Sequence, residues 1–63
     1  MFYKLLEGLE IIKNSGSDPI RVYTEEFNYI YVELKHPLPE GFANQIKFAS
    51  WKQMSEKVWF IKV

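Results

Sequence analysis

Few residues in this chain have types that do chemistry, and their spacing argues against catalysis. His36 is the single histidine and sits in "KHPLP". Such a histidine reads as a solvated turn residue. With no cysteine and no second histidine, the usual metal-ligand sets and Cys–His catalysis are ruled out. Glu25 and Glu26 are adjacent. Neighbours on a strand point to opposite faces, and in a turn both face water, so the pair does not aim two carboxylates at one substrate. Ser15, Ser17, Ser50 and Ser55 lie in no nucleophile elbow. "GSDP" and "PEG" lack the glycine spacing and the Lys–Ser/Thr pair of a phosphate loop. The expectation is a non-enzyme with no metal, no cofactor and no small-molecule substrate.

What remains is aromatic and basic chemistry suited to contact. Aromatic side chains make up 17% of the 63 residues, with two Trp, four Tyr and five Phe. Tyr23, Tyr29 and Tyr31 recur at even spacings near Arg21. Trp51 and Phe60 stand between Lys47 and Lys62. Tyrosine tolerates partial exposure because its tip is polar, and aromatic rings with basic neighbours serve both protein and nucleic-acid contacts.

The elements that must position these residues follow from periodicity. In "FYKLLEGLEIIKN" the apolar residues Phe2, Leu5, Leu6, Leu9 and Ile12 share one face of a helix. Gly8 weakens that helix by about 1 kcal/mol relative to Ala, and it marks a close approach to the sheet. Gly16 and Pro19 end it. "IRVYT" and "NYIYVEL" alternate with period two and are rich in β-branched and aromatic residues, which predicts a hairpin joined by "EEFN". Its aliphatic rows should face the helix, leaving the tyrosines with Arg21 and Glu33 on the other side. "KHPLPEG" is a break. "KVWFIKV" is a further strand.

Residues 42–54 read two ways. As a helix, Phe42, Ile46, Ala49 and Gln53 share a face. As a strand, "QIKFASW" forms a hairpin with "KVWFIKV" around Met54–Ser55. The strand reading is preferred because it gives Phe48 and Trp51 packing neighbours. It puts Phe48, Trp59 and Ile61 in the core, and Lys47, Trp51, Phe60 and Lys62 on the outer face. The predicted architecture is a single α+β domain over residues 1–63: one N-terminal amphipathic helix on a small antiparallel sheet, αββββ, with αββαβ as the rival.

Size and charge bound the function. A chain this short buries only about 60% of its unfolded surface, and it has no disulfide to staple it. Net charge is zero and the pI is 6.6. The halves differ, however. Residues 1–33 hold three basic and six acidic side chains, a net of −3, and residues 34–63 hold five basic and two acidic, a net of +3. The amino-terminal stretch lacks the continuous apolar core of a signal peptide, and no apolar run approaches the ~18 residues that span a bilayer. A soluble cytoplasmic protein is expected.

The function expected from sequence is a small binding module that acts through an aromatic sheet face on a protein partner, by self-association or by regulation of a target. Single-stranded DNA or RNA is the alternative ligand, and a purely structural aromatic core is the second alternative. The residues expected to make contact are Arg21, Tyr23, Tyr29, Tyr31, Lys47, Trp51, Phe60 and Lys62.

Overall fold

Period-two segments became strands where the sequence alternates, and the one unpatterned segment split in two. The computed structural model describes residues 3–63. Its elements are α1 (Tyr3–Ser15), β1 (Pro19–Tyr23), β2 (Tyr29–Leu34), α2 (Glu40–Phe48), β3 (Lys52–Ser55) and β4 (Val58–Lys62). The four strands form one antiparallel sheet in the order β1-β2-β4-β3. Both helices pack on one side of it. The α+β class is as expected, with an N-terminal helix on a four-stranded antiparallel sheet. The order is αββαββ, so the preferred αββββ and the rival αββαβ each capture only part of it.

The core lies between the helices and one sheet face. It comprises Ile12, Val32, Leu34, Ile46, Ala49, Trp51, Trp59 and Ile61. Leu5, Leu9 and Ile11 pack against it from α1, whereas Leu6, expected on the apolar face, is exposed. Phe2 lies outside the described residues. Gly8 is the position where α1 comes closest to the core. A Cβ there would stand 2.0 Å from Trp51 Nε1. The close approach expected at Gly8 is therefore made to a tryptophan ring rather than to the sheet. The Trp51 indole also donates a hydrogen bond to the Lys4 carbonyl at 3.1 Å, which ties the start of α1 to the end of α2. The Trp59 indole N–H is buried without a partner.

Helix ends explain the split of residues 42–54. Pro39 caps α2, and its carbonyl accepts from the Ala43 N–H at 2.8 Å. Glu40 lies in the first turn and Lys47 in the last, each favourable to the helix dipole. At the other end the Trp51 N–H donates to the Ile46 carbonyl and the Ser50 N–H to the Lys47 carbonyl. These two bonds make a Schellman motif, with Ser50 in the left-handed conformation at φ 71° where glycine is usual. The Trp51–Ile46 contact supplies the apolar pair that accompanies such a cap. The chain thus reverses at Ser50 and drops Trp51 into the core before β3 begins.

Two expectations fail for this reason. Trp51 is 2% exposed, so it is not on the outer face. Phe48, expected in the core, is 90% exposed at the end of α2. The hairpin turn is Glu56–Lys57 rather than Met54–Ser55, with Lys52 opposite Phe60 and Gln53 opposite Trp59.

Candidate functional site

Antiparallel pairing fixes which side chains share the uncovered side of the sheet, because directly opposed residues point the same way. Tyr23 pairs with Tyr31, and Arg21 with Glu33. Tyr31 pairs with Phe60, and Tyr29 with Lys62. Lys52 pairs with Phe60. Val32 and Trp59 oppose each other on the core side. The face away from the helices therefore carries a middle row of Tyr23, Tyr31, Phe60 and Lys52. Arg21, Glu33 and Val58 lie on one flank, with Tyr29 and Lys62 on the other.

The rings on this face touch one another. Tyr23 and Tyr31 are stacked, with centroids 5.4 Å apart and planes 11° from parallel. Tyr31 and Phe60 are 5.2 Å apart and tilted. Tyr29 meets Phe60 edge-on at 5.9 Å. The Arg21 guanidinium lies 4.2 Å from the Tyr23 centroid, a cation–π contact, and its Nε is 3.9 Å from Glu33 Oε1. That ion pair is exposed and adds little stability. Tyr31, flanked on both sides, is only 7% exposed, while Tyr23, Tyr29 and Phe60 are half-buried. The result is a shallow aromatic band across three strands.

Charge surrounds the band unevenly. Glu25 and Glu26 lie in the β1–β2 turn, at one corner. Burial raises the pKa of the Tyr31 phenol, and the carboxylates of Glu26 and Glu25 raise it further. At the same end of the strands, in the corner on the other side of the sheet's width, a pocket of about 90 Å³ is lined by Tyr29, Ser50, Lys52, Phe60, Ile61 and Lys62. Lys4 reaches the same corner, donating from Nζ to Ser50 Oγ at 3.2 Å.

Six of the eight residues named from sequence come together here: Arg21, Tyr23, Tyr29, Tyr31, Phe60 and Lys62. Two do not. Trp51 is in the core, and Lys47 is on α2, beside Asn44 and Phe48. Lys52 belongs to the face although it is not among the contact residues expected from sequence, and Glu25 and Glu26, read from sequence as exposed turn residues, border it. The turn at Glu56–Lys57 alone would set Lys52 opposite Ile61 on the covered side; the register shift between Gln53 and Ser55 is what brings it opposite Phe60. His36 is exposed, and among the described residues no group of three or more His, Cys, Asp or Glu is placed to hold a metal. No described helix is long and apolar enough to cross a membrane. A second surface lies on the helix side, where Glu7, Glu10, Ile11, Asn14, Gln45 and Phe48 line an open groove.

Fold and site together define a small α+β domain with one helix-covered and one open, aromatic sheet face. The chain matches no protein-family model, no curated protein and no solved structure.

Proposed function

We propose that this chain is a non-enzymatic protein-binding module whose docking surface is the open sheet face. The observation that carries the reading is the continuous contact of Tyr23, Tyr31, Phe60 and Tyr29 on a side that no described element covers. Tyr, Phe and Arg are enriched where proteins meet. Both edge strands are bulged, β1 between Pro19 and Arg21 and β3 between Gln53 and Ser55. Bulges blunt an edge against strand addition, which leaves the face as the better surface. A cysteine-free chain suits a reducing compartment, and we place its action in the cytoplasm.

Single-stranded nucleic acid is the second reading, favoured by Lys52 and Lys62 beside Phe60 and Tyr29. It is the weaker one. Base stacking needs free ring faces, and Tyr31 is flanked by rings on both sides while Arg21 covers Tyr23.

Affinity capture with three baits tests the reading: the native chain, Phe60→Ser and Phe48→Ser. A partner retained by the native chain and Phe48→Ser but lost with Phe60→Ser is expected. A partner lost only with Phe48→Ser moves the function to the helix side. The nucleic-acid reading is measured by anisotropy of labelled oligonucleotides, because both tryptophans are buried and report poorly on this face. Salt-sensitive binding that Lys52→Glu abolishes would replace the protein reading.

A further inference from the structure

We propose that the open face docks onto a second copy of this chain, the two sheets stacking face to face about a two-fold axis that runs along the strands. This names the partner for the protein-binding reading and rests on it.

The first observation is that the charge asymmetry of the sequence is not neutralised within the fold. The ion pair found among the described residues, Arg21–Glu33, joins two members of the acidic half. Glu25 and Glu26 stay exposed. Lys52 and Lys62 also stay exposed, with no carboxylate within ion-pair distance among the described residues.

The second observation is where these charges lie. The strand order β1-β2-β4-β3 puts the acidic turn at the β1–β2 corner. The lysines border the pocket at the β4–β3 corner. Both corners are at the same end of the strands, since Tyr29 is level with Lys62. A two-fold axis along the strands lays β1 over β3 and β2 over β4 of the second copy. It brings Tyr31 over Phe60, and the Glu25–Glu26 turn over the Lys52–Lys62 corner, each contact occurring twice. A two-fold interface must be self-complementary in this way. The other in-plane axis, across the strands, would set Lys52 against its own copy.

Stacked sheets with strands nearly aligned are an established packing mode. Four strands about 4.8 Å apart and about five residues long make a patch of roughly 19 by 16 Å, at the small end of protein interfaces. The dimer is therefore weak and reversible, and salt weakens it further.

Sedimentation velocity from about 10 µM to about 1 mM, a range suited to a small interface, tests this. The expected result is a monomer–dimer equilibrium that shifts towards monomer as salt rises. The double variants E25K/E26K and K52E/K62E should each remain monomeric where the native chain dimerises. An equimolar mixture of the two should recover the dimer mass, because each variant then supplies the charge that the other lacks. Circular dichroism confirms folding of each variant. A native chain that stays monomeric at about 1 mM overturns the self-pairing while leaving the protein-binding face to its own capture test. A mixture that stays monomeric overturns it too. A dimer indifferent to both charge reversals and to Phe60→Ser lies elsewhere on the molecule and overturns the self-pairing, and the open face then stands or falls by its capture test.

Discussion

The two faces of this sheet use aromatic residues in opposite ways. On the helix-covered face, Trp51 and Trp59 are 2% and 1% exposed and pack among aliphatic side chains, with no ionisable group in the cluster. On the open face, Tyr23, Tyr29, Tyr31 and Phe60 pack mainly against one another and are rimmed by charges of both signs. The first arrangement stabilises by removing large rings from water, which is what a chain of this size needs without disulfides. The second shields each ring in part and keeps polar tips and charges at the surface, where a partner can use them. Aromatic content alone does not separate a core from a site; what the rings touch does.

The largest expected effect is at Trp51. Trp51→Ala leaves a cavity under α1 and removes the hydrogen bond to Lys4, and it should cost about 3–5 kcal/mol. Phe60→Ala, half-buried on the open face, should cost clearly less. Denaturant melts of the two variants measure the difference. If Phe60→Ala were as costly as Trp51→Ala, the open face would be part of the core and the contrast would fail.

Gly8→Ala follows. Alanine at an exposed helix position normally gains about 1 kcal/mol over glycine. Here its Cβ would meet the Trp51 ring at 2.0 Å, and the ring is held by its hydrogen bond and by the core around it. The expected outcome is a loss of about 1–3 kcal/mol, the range of overpacked cores, read by thermal or denaturant unfolding. A stabilised Gly8→Ala would mean that the indole moves aside easily and that the covered face is loosely packed.

Much of this contrast was legible in the sequence, and the exceptions have physical causes. Alternation in residues 29–34 and 58–62 placed Val32, Trp59 and Ile61 on one face and Tyr31 and Phe60 on the other, because a strand with one buried side must show its period. Strand β3 gave no such signal. Its residues, Lys52, Gln53, Met54 and Ser55, are all exposed, so nothing alternates. The end of α2 was hidden because Ser50 fills the left-handed cap position, whereas the sequence pattern for a helix stop relies on glycine, as Gly16 does at the end of α1. Preferring the strand over the helix for residues 42–54 carries Lys47 and Trp51 onto the sheet face and leaves Lys52 beside the turn.

Ser50 offers a smaller effect of the opposite sign. A non-glycine residue in the left-handed conformation costs roughly 1 kcal/mol, so Ser50→Gly should stabilise the fold by about that amount. Loss of the exposed Lys4–Ser50 hydrogen bond offsets little of it. Chemical denaturation measures the change. A destabilised Ser50→Gly would show that the Ser50 hydroxyl matters more to this corner than its backbone does.

The smallest effect concerns pH and separates the faces by their chemistry. The covered cluster has nothing to titrate. On the open face, burial and then the charges of Glu26 and Glu25 raise the Tyr31 pKa above the ordinary tyrosine value. The unfolded chain releases that proton near pH 10, while the folded chain holds it to higher pH. The contribution of Tyr31 is therefore fully present below about pH 10 and is lost as pH rises through the folded pKa. Unfolding free energies measured from about pH 8 to about pH 11 should fall less steeply for Tyr31→Phe than for the native chain. Glu25→Gln with Glu26→Gln should make the native decline smaller, because the folded Tyr31 pKa then moves back towards the unfolded value that sets its onset. Identical slopes for the native chain and Tyr31→Phe would mean that Tyr31 ionises as freely folded as unfolded. The aromatic band would then be open to water, and the second face would be a solvated surface rather than a packed one.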